Sequence, residues 1–282
     1  MDRRTGKLKK LNIQFLTVNY NNLRGLKVTT ESILIFSESL KDKNTKVNWL
    51  IKDANSTDGS QDFINELLIQ KTNSTLKIES EISKDTGIFN GMNRAITLAM
   101  DEVLTLFLNS GDYLSNEFIK KFEPSQFNNC DLVYGNYYIN HEANKFLVKM
   151  DPNLDFEFVL SKMVNHQSLF INSSILKKNP FKEDFWVNAD WVQLFDIMRA
   201  SSLTIKYLNY AIPVYELGGN SDKFYQEGLN QREEYLNRCY SLSEVNALKK
   251  MGRLRQRSWY SFILKALDSP KRSFILKTLS RF

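Results

Sequence analysis

The stretch from Leu104 to Asp112, LTLFLNSGD, changes character in its middle. Four apolar residues around one threonine read as a buried strand. Asn109, Ser110, Gly111 and Asp112 then end it. A buried strand that runs out into small polar residues and one carboxylate either delivers a ligand group to a cleft or simply turns. Whether Asp112 is a metal ligand or a turn residue depends on how the other strands end.

Working outward, LNIQFLTVNY (11–20) clusters β-branched and aromatic residues and reads as a first strand. Residues 26–40 carry Val28, Ile33, Leu34, Phe36 and Leu40 at helical spacing. VNWLIKDA (47–54) is a short apolar run expected to be a buried parallel strand. QDFINELLIQ returns to helical spacing with Phe63, Ile64, Leu67 and Leu68, and TLKIES (75–80) is a third strand. DTGIFNGMNRAITLAM (85–100) is a turn and then a helix, with Ile88, Met92, Ile96 and Ala99 expected on one face. VLTLFL (103–108) is the fourth strand. Strands alternating with helices predict an α/β fold: a mostly parallel, Rossmann-like sheet flanked by helices.

In such sheets ligands bind beyond the C-terminal ends of the strands. The first strand ends in Asn19, Asn21 and Asn22, the second in Asp53, Asn55 and Asp58, the fourth in Asn109 and Asp112. That convergence outweighs any one acidic residue. After Asp112 the pattern becomes more mixed. DLVYGNYYIN, NKFLVKM and LTIKYLN (203–209) read as strands, and NADWVQLFDIMRA (188–200) as a helix with an acidic first turn. From about residue 225 the chain reads as helical. Residues 1–224 are expected to form the catalytic domain and 225–282 a helical basic and aromatic extension.

The chain has 282 residues, 42% hydrophobic and 25% charged, an ordinary soluble composition. Its apolar runs are too short to span a bilayer, and the opening MDRRTGKLKK reads as a basic arm, not a targeting segment. Cys130 and Cys239, far apart, point to free thiols in a reducing compartment. Residues 249–282 hold ten Lys or Arg against one acid, Asp268, a balance of +9; the chain's +6 therefore leaves −3 for residues 1–248. A net acidic body argues against a nucleic-acid partner.

The order TVNYNN, KDANSTDGS, DTGIFNGMNRAI, LNSGD over residues 11–222 resembles the family 2 glycosyltransferases of GT-A fold. Within them it is similar to bacterial polysaccharide enzymes with Asn-Ser-Gly-Asp in place of Asp-x-Asp. The resemblance implies an inverting enzyme that transfers a sugar from a nucleotide-sugar donor, a UDP-sugar, to a glycan or lipid-linked acceptor in capsule, O-antigen or lipopolysaccharide synthesis. It implies that Thr17 and Asn19 open the nucleotide pocket and that Asp53 contacts the uracil ring; Asp58 reads equally as a helix cap. Asp85 and Gly87 stand in the family's next segment, as ribose or nucleotide contacts or as a cap and a turn. Asn93 and Arg94 follow in the helix, with Arg94 facing phosphate or solvent, and Asn109 and Ser110 are expected beside the donor. Asp112 is implied to hold Mn²⁺ or Mg²⁺ bridged to the diphosphate, which one carboxylate with waters can do.

Asp190, opening a helix, stands where the family places its general base; a helix N-terminus favours the ionised form. His166, in NHQSLFI with Gln167, is a second catalytic candidate or a structural histidine. Gly218 to Ser221 of YELGGNS line the diphosphate mouth or make a plain turn. The tail mixes its cations with Trp259, Tyr260, Phe262 and Phe274. Such segments bind anionic membrane surfaces or pack as helices, which suggests a cytoplasmic protein held on the inner face of the membrane. A sugar nucleotidyltransferase would need a glycine-rich basic loop that TVNYNNLRG lacks. A non-catalytic, membrane-associated binding subunit of a glycan assembly complex stays open.

Overall fold

The computed structural model describes residues 11–255, apart from 72, 142–143, 163, 201 and 217–222. Gly218 to Ser221 and the tail beyond 255 lie outside the described residues. Strand and helix alternate as expected in the first half: β1 (Leu11–Asn19), α1 (Leu23–Glu38), β2 (Thr45–Asp53), α2 (Ser60–Gln70), β3 (Leu76–Ile82), α3 (Ile88–Leu98) and β4 (Leu104–Phe107). The second half adds β5 (Tyr113–Leu114), α4 (Asn116–Lys121), β6 (Leu132–His141), β7 (Asn144–Val148), α5 (Phe156–Ser161), β8 (Leu169–Asn172), α6 (Ser173–Lys178), α7 (Ala189–Ala200), β9 (Ile205–Glu216), α8 (Tyr225–Cys239) and α9 (Leu242–Arg255).

The described strands form one nine-stranded sheet, ordered β3-β2-β1-β4-β8-β6-β9-β5, with β7 paired to β6. β3, β2, β1 and β4 are mutually parallel, and β6 pairs parallel with β9. β4–β8, β6–β8, β6–β7 and β5–β9 are antiparallel.

Period-two alternation splits the core between the two faces of the sheet. Ile13 and Phe15 of β1, with Leu104 and Leu106 of β4, share one core with Ile33 and Phe36 of α1. Leu16 and Phe107 belong to the other core, with Met92 and Ile96 of α3 and Trp191 and Phe195 of α7. Phe36 meets Phe15 edge-on at 5.8 Å and Phe122 at 5.0 Å. Two helical faces are rotated from their expected positions. Val28 and Ile88 are exposed; Leu26 replaces Val28 in the core, and Phe89, Met92 and Ile96 make the buried stripe of α3. Ile88, the first residue of its helix, stands at the open edge of the sheet. β9 runs on to Glu216, well past the expected 209. α8 and α9 insert Tyr235, Leu236 and Val245 into the same core as α7.

Candidate active site

Register aligns the strand ends. Asn19 of β1 lies opposite Asp53 of β2, which lies opposite Ile82 of β3. β4 sits beside Leu16 through Phe107, so Ser110 N–H reaches the carbonyl of Val18 at 3.2 Å. The four following loops therefore meet at one edge and enclose a cleft of about 820 Å³. Its walls are Asn19, Tyr20 and Asn22; Ala54, Asn55 and Thr57; Lys84, Asp85, Gly87 and Ile88; and Asn109 and Ser110. Asn21 and Asn55 adopt left-handed backbone at the tips of the first two loops, a conformation asparagine tolerates better than other non-glycine residues. That is a local reason for their asparagine-rich sequences.

NSGD is a turn clamped by α1. Gly111 takes φ +111°, Asp112 N–H reaches Asn109 O at 3.0 Å, and Asn22 Nδ2 donates to Ser110 O at 2.9 Å. Thr29 Oγ1 donates to Asp112 O at 2.7 Å and accepts from Gly111 N–H at 3.0 Å. The turn leaves Asn109 and Ser110 on the cleft wall and aims the Asp112 side chain back into the protein. There Gln167 Nε2 meets one oxygen and the Glu216 N–H, at 3.0 Å, the other. Burial pushes the Asp112 carboxyl up to about 8, against the lowering effect of the Glu216 N–H. A protonated carboxyl needs an acceptor. Gln167 Oε1, buried without a partner, becomes one when the amide turns over. This donor set does not fit the expected metal role. The Asp112 carboxyl is buried and turned toward Gln167 and Glu216, away from the cleft, and no group of three His, Cys, Asp or Glu among the described residues is placed to hold an ion.

The other expected contacts divide in two. Asn19, Asp85, Gly87, Asn109 and Ser110 do line the cleft. Asn19 gives its Nδ2 to Asp53 at 2.7 Å, while its Oδ1 is buried with no partner. Gly87, at φ +151° and ψ 173°, holds a backbone shape that glycine alone adopts readily, and Gly87 N–H approaches Asp85 Oδ1 at 3.3 Å. Thr17, Asp53, Asn93 and Arg94 face inward or along the surface. Thr17 Oγ1 donates to Leu108 O and accepts from the Trp49 indole N–H. Asp53, fully buried, accepts from Asn19, from Ser56 N–H at 2.7 Å and from Ser56 Oγ at 2.8 Å. It shapes the loop whose Ala54, Asn55 and Thr57 face the cleft. Asp58 joins two helix starts, accepting from Leu23 N–H at 2.7 Å and from Ser60; the Ser60 hydroxyl holds its carboxyl below the usual range. Asn93 clamps Phe181 through both its N–H and carbonyl, and Arg94 pairs with Glu81.

Behind the cleft wall lies Lys52, fully buried. Its Nζ donates to Asp53 O at 2.8 Å and Ser83 O at 2.6 Å, and lies 3.5 Å from Asp85 and 3.7 Å from Glu81. The single cation locks the ends of β2 and β3 together and holds Asp85 against the cleft.

The two catalytic candidates meet. His166 Nδ1 lies 3.0 Å from Asp190 Oδ2. Asp190 Oδ1 accepts from Trp191 N–H at 2.8 Å, so both oxygens of Asp190 are used. His166 Nε2 faces Asn109 Nδ2 at 3.4 Å. With Nδ1 donating to the carboxylate, Nε2 carries the lone pair and points at the cleft wall. Asp184 and Asp196 are engaged elsewhere, with Arg238 and Lys182.

Tyr20, Lys84, Ile88 and Lys52 were not among the expected site residues. A lysine inside the apolar run VNWLIKDA was the one signal available for Lys52.

No protein-family model matches the chain, and no curated protein matches it in sequence. Solved structures do match its fold. TarS 1–349 of S. aureus in complex with UDP superposes with TM-score 0.60 at 16% identity, over 88% of this chain and 73% of that one. The mannosyltransferase PcManGT of Pyrobaculum calidifontis, with GDP-Man and Mn²⁺, gives 0.57 at 11%, over 95% and 79%. GalNAc-T7 with UDP, GalNAc and Mn²⁺ gives 0.53 at 9%, over 93% and 58%. The chain has the GT-A fold. At these identities the likeness is one of architecture, and the chemistry rests on the site.

Proposed function

We propose that the chain is an inverting glycosyltransferase that moves a sugar from a UDP-sugar to a hydroxyl of a glycan or lipid-linked saccharide. The observation that carries this reading is the contact between Asn109, on the wall of a cleft at the ends of four parallel strands, and the His166–Asp190 dyad. A nucleotide fits the cleft at a topological switch point of the sheet, and 820 Å³ is ligand-sized. Asn55 and Thr57, on the loop that Asp53 shapes, face the cleft and can meet the base whose contact the resemblance gave to Asp53. The UDP bound in TarS and GalNAc-T7 supports uracil as the base.

The dyad divides the labour. His166 Nε2 takes the proton of the acceptor hydroxyl. As the acceptor oxygen bonds to the anomeric carbon, the bond to the diphosphate breaks and the diphosphate leaves with the electron pair. Asp190 keeps the imidazole in the tautomer that can accept and stabilises the imidazolium formed. One displacement gives inversion. The buried Asp112 carboxyl faces Gln167 and Glu216, away from the cleft, so the chain's own part in the reaction falls to the dyad.

The basic, aromatic tail supports a place at an anionic membrane surface, on the inner face of the cytoplasmic membrane, and the resemblance carried by NSGD supports a role in bacterial surface polysaccharide synthesis. The committed Asp112 also favours one other reading, a subunit that binds nucleotide-sugars without turnover. Calorimetry and hydrolysis assays with UDP-glucose, UDP-galactose, their N-acetyl forms, and GDP- and dTDP-sugars, with and without Mn²⁺, test both. Binding and slow hydrolysis of one UDP-sugar is the expected result. Binding without turnover in the presence of acceptors favours the subunit, and a folded chain that binds no nucleotide overturns the proposal.

A further inference from the structure

We infer that Trp186 is the platform on which a sugar ring of the acceptor stacks, in a recess beside the donor cleft. The inference rests on the glycosyltransferase reading and names a binding site within it. The recess measures about 320 Å³ and is walled by Gly87, Ile88, Asn90, Glu183 and Trp186 among others. Gly87 and Ile88 also line the donor cleft, so the two spaces share one lip. Trp186 belongs to the segment leading into α7 and precedes Asp190 by four residues. A group held on Trp186 therefore lies beside the lip of the donor cleft, on the segment that leads into the helix of Asp190.

Three large apolar side chains stand out of the core here: Trp186 at 44% exposed, Phe224 at 42% and Ile88 at 47%. Trp186 and Phe224 meet edge-on at 4.8 Å, which orients the indole without covering it. Exposed apolar surface grouped at the mouth of a cleft marks a contact surface. Tryptophan supplies a large rigid face at small entropic cost.

The polar groups specify the occupant. Glu183 accepts from Asn90 Nδ2 at 3.1 Å and Asn93 Nδ2 at 3.0 Å. Two carboxylate oxygens offer about four acceptor sites, so capacity remains for hydroxyl donors. An aromatic face, a carboxylate and an amide in a space for one ring match a pyranose, which has an apolar C–H face and an edge of hydroxyls. An acyl chain would leave the Glu183 carboxylate facing carbon.

The test uses the full chain, the nucleotide-sugar that binds in the donor screen, and octyl glycosides of glucose, galactose, N-acetylglucosamine, N-acetylgalactosamine, mannose and rhamnose as acceptors. Trp186→Ala is expected to raise KM for the best glycoside by about tenfold or more, the scale of one lost aromatic anchor. Trp186→Phe stays within about threefold, because a smaller ring still stacks. Donor Kd, measured without acceptor, stays within about twofold in both variants. Three results overturn the inference: an unchanged KM in Trp186→Ala, a KM raised equally by Phe and Ala, or a wild-type chain that binds donor yet glycosylates none of the six. A chain that binds no nucleotide-sugar fails at the donor step, which removes the glycosyltransferase reading and this inference together.

Discussion

In the proposed reaction, His166 is the residue on which most of the chemistry depends. Its Nε2 meets Asn109 on the cleft wall, while Asp190 uses both oxygens, on His166 Nδ1 and on Trp191 N–H. His166→Ala is expected to lower kcat by about 100-fold or more, the usual weight of a general base, with donor Kd nearly unchanged by calorimetry. Asp190→Asn should also lower kcat strongly, because an amide can donate to Nδ1 and so move the proton to Nε2. Full transfer activity in Asp190→Asn would remove the dyad from the mechanism.

Asp112 makes a different kind of prediction. Its folded-state carboxyl, at about 8, lies above the ordinary aspartate value of 3.8. The folded chain therefore holds a proton that the unfolded chain releases. The resulting stability is fully present below about pH 4 and is lost as pH rises through 8, with a slope of at most about 1.4 kcal/mol per pH unit. Urea titrations of Asp112→Asn should show that slope flattened between pH 5 and 8, with Gln167 turning its Oε1 to the new amide. An unchanged slope in the variant would show that Asp112 is ionised in the folded protein. Mn²⁺-dependent nucleotide binding abolished by Asp112→Asn would restore the metal-ligand role.

At the level of elements, the cleft depends on how the β2 and β3 ends are tied. Lys52→Met removes the ammonium between Asp85 and Glu81 and leaves the Asp53 and Ser83 carbonyls without their donor. Breaking a buried ion pair in this way costs about 3–5 kcal/mol. Lys52 is fully buried, but Asp85 and Glu81 are partly wet, so a loss of about 2–3 kcal/mol is expected by urea unfolding, together with weaker donor binding through Asp85. The start of α3 depends on Gly87. A Cβ there would meet nothing within 4 Å, so Gly87→Ala isolates backbone strain from crowding. A loss of about 1–3 kcal/mol is expected, read as a lower Tm. An unchanged Tm would mean that this turn relaxes freely.

Across the whole molecule, the GT-A sheet and the C-terminal helices share one core. Tyr235 of α8 packs edge-on against Phe185 at 5.1 Å and Phe195 at 6.0 Å, and Lys182 and Asp196 both reach its hydroxyl. Ending the chain at residue 224 would uncover that aromatic cluster, including Trp191 and Phe195 of α7. The shortened chain is expected to lose cooperative thermal unfolding or to drop sharply in Tm; an equally stable product would make 225–255 an appendage. A bound donor acts on the same equilibrium from the other side. At about 100 times its Kd it should add about 2.7 kcal/mol to stability, a rise in Tm that the His166→Ala variant keeps.

The alternation of β1, α1, β2, α2, β3, α3 and β4 was legible because each segment's apolar period is local: two for a strand, 3.6 for a helix. The polar strand ends at Asn19, Asn55 and Asn109 were legible for the same reason, and so was the helix that carries Asp190. Which side of a residue faces the ligand is a long-range property. Asp53 and Asp112 look like binding carboxylates in the chain, yet one is consumed by Asn19 and Ser56 and the other by Gln167 and Glu216. The partners of Asp112 come from β9 and the turn before β8, positions that no local window around NSGD contains. The joining of His166 to Asp190 across 24 residues and the burial of Lys52 between two carboxylates have the same origin. Local propensity chose the elements and their loops. Packing in three dimensions decided which polar groups were used inside the protein and which, such as Asn55, Asp85 and Ser110, stand on the cleft wall, because a buried polar group must find a partner wherever the fold brings one.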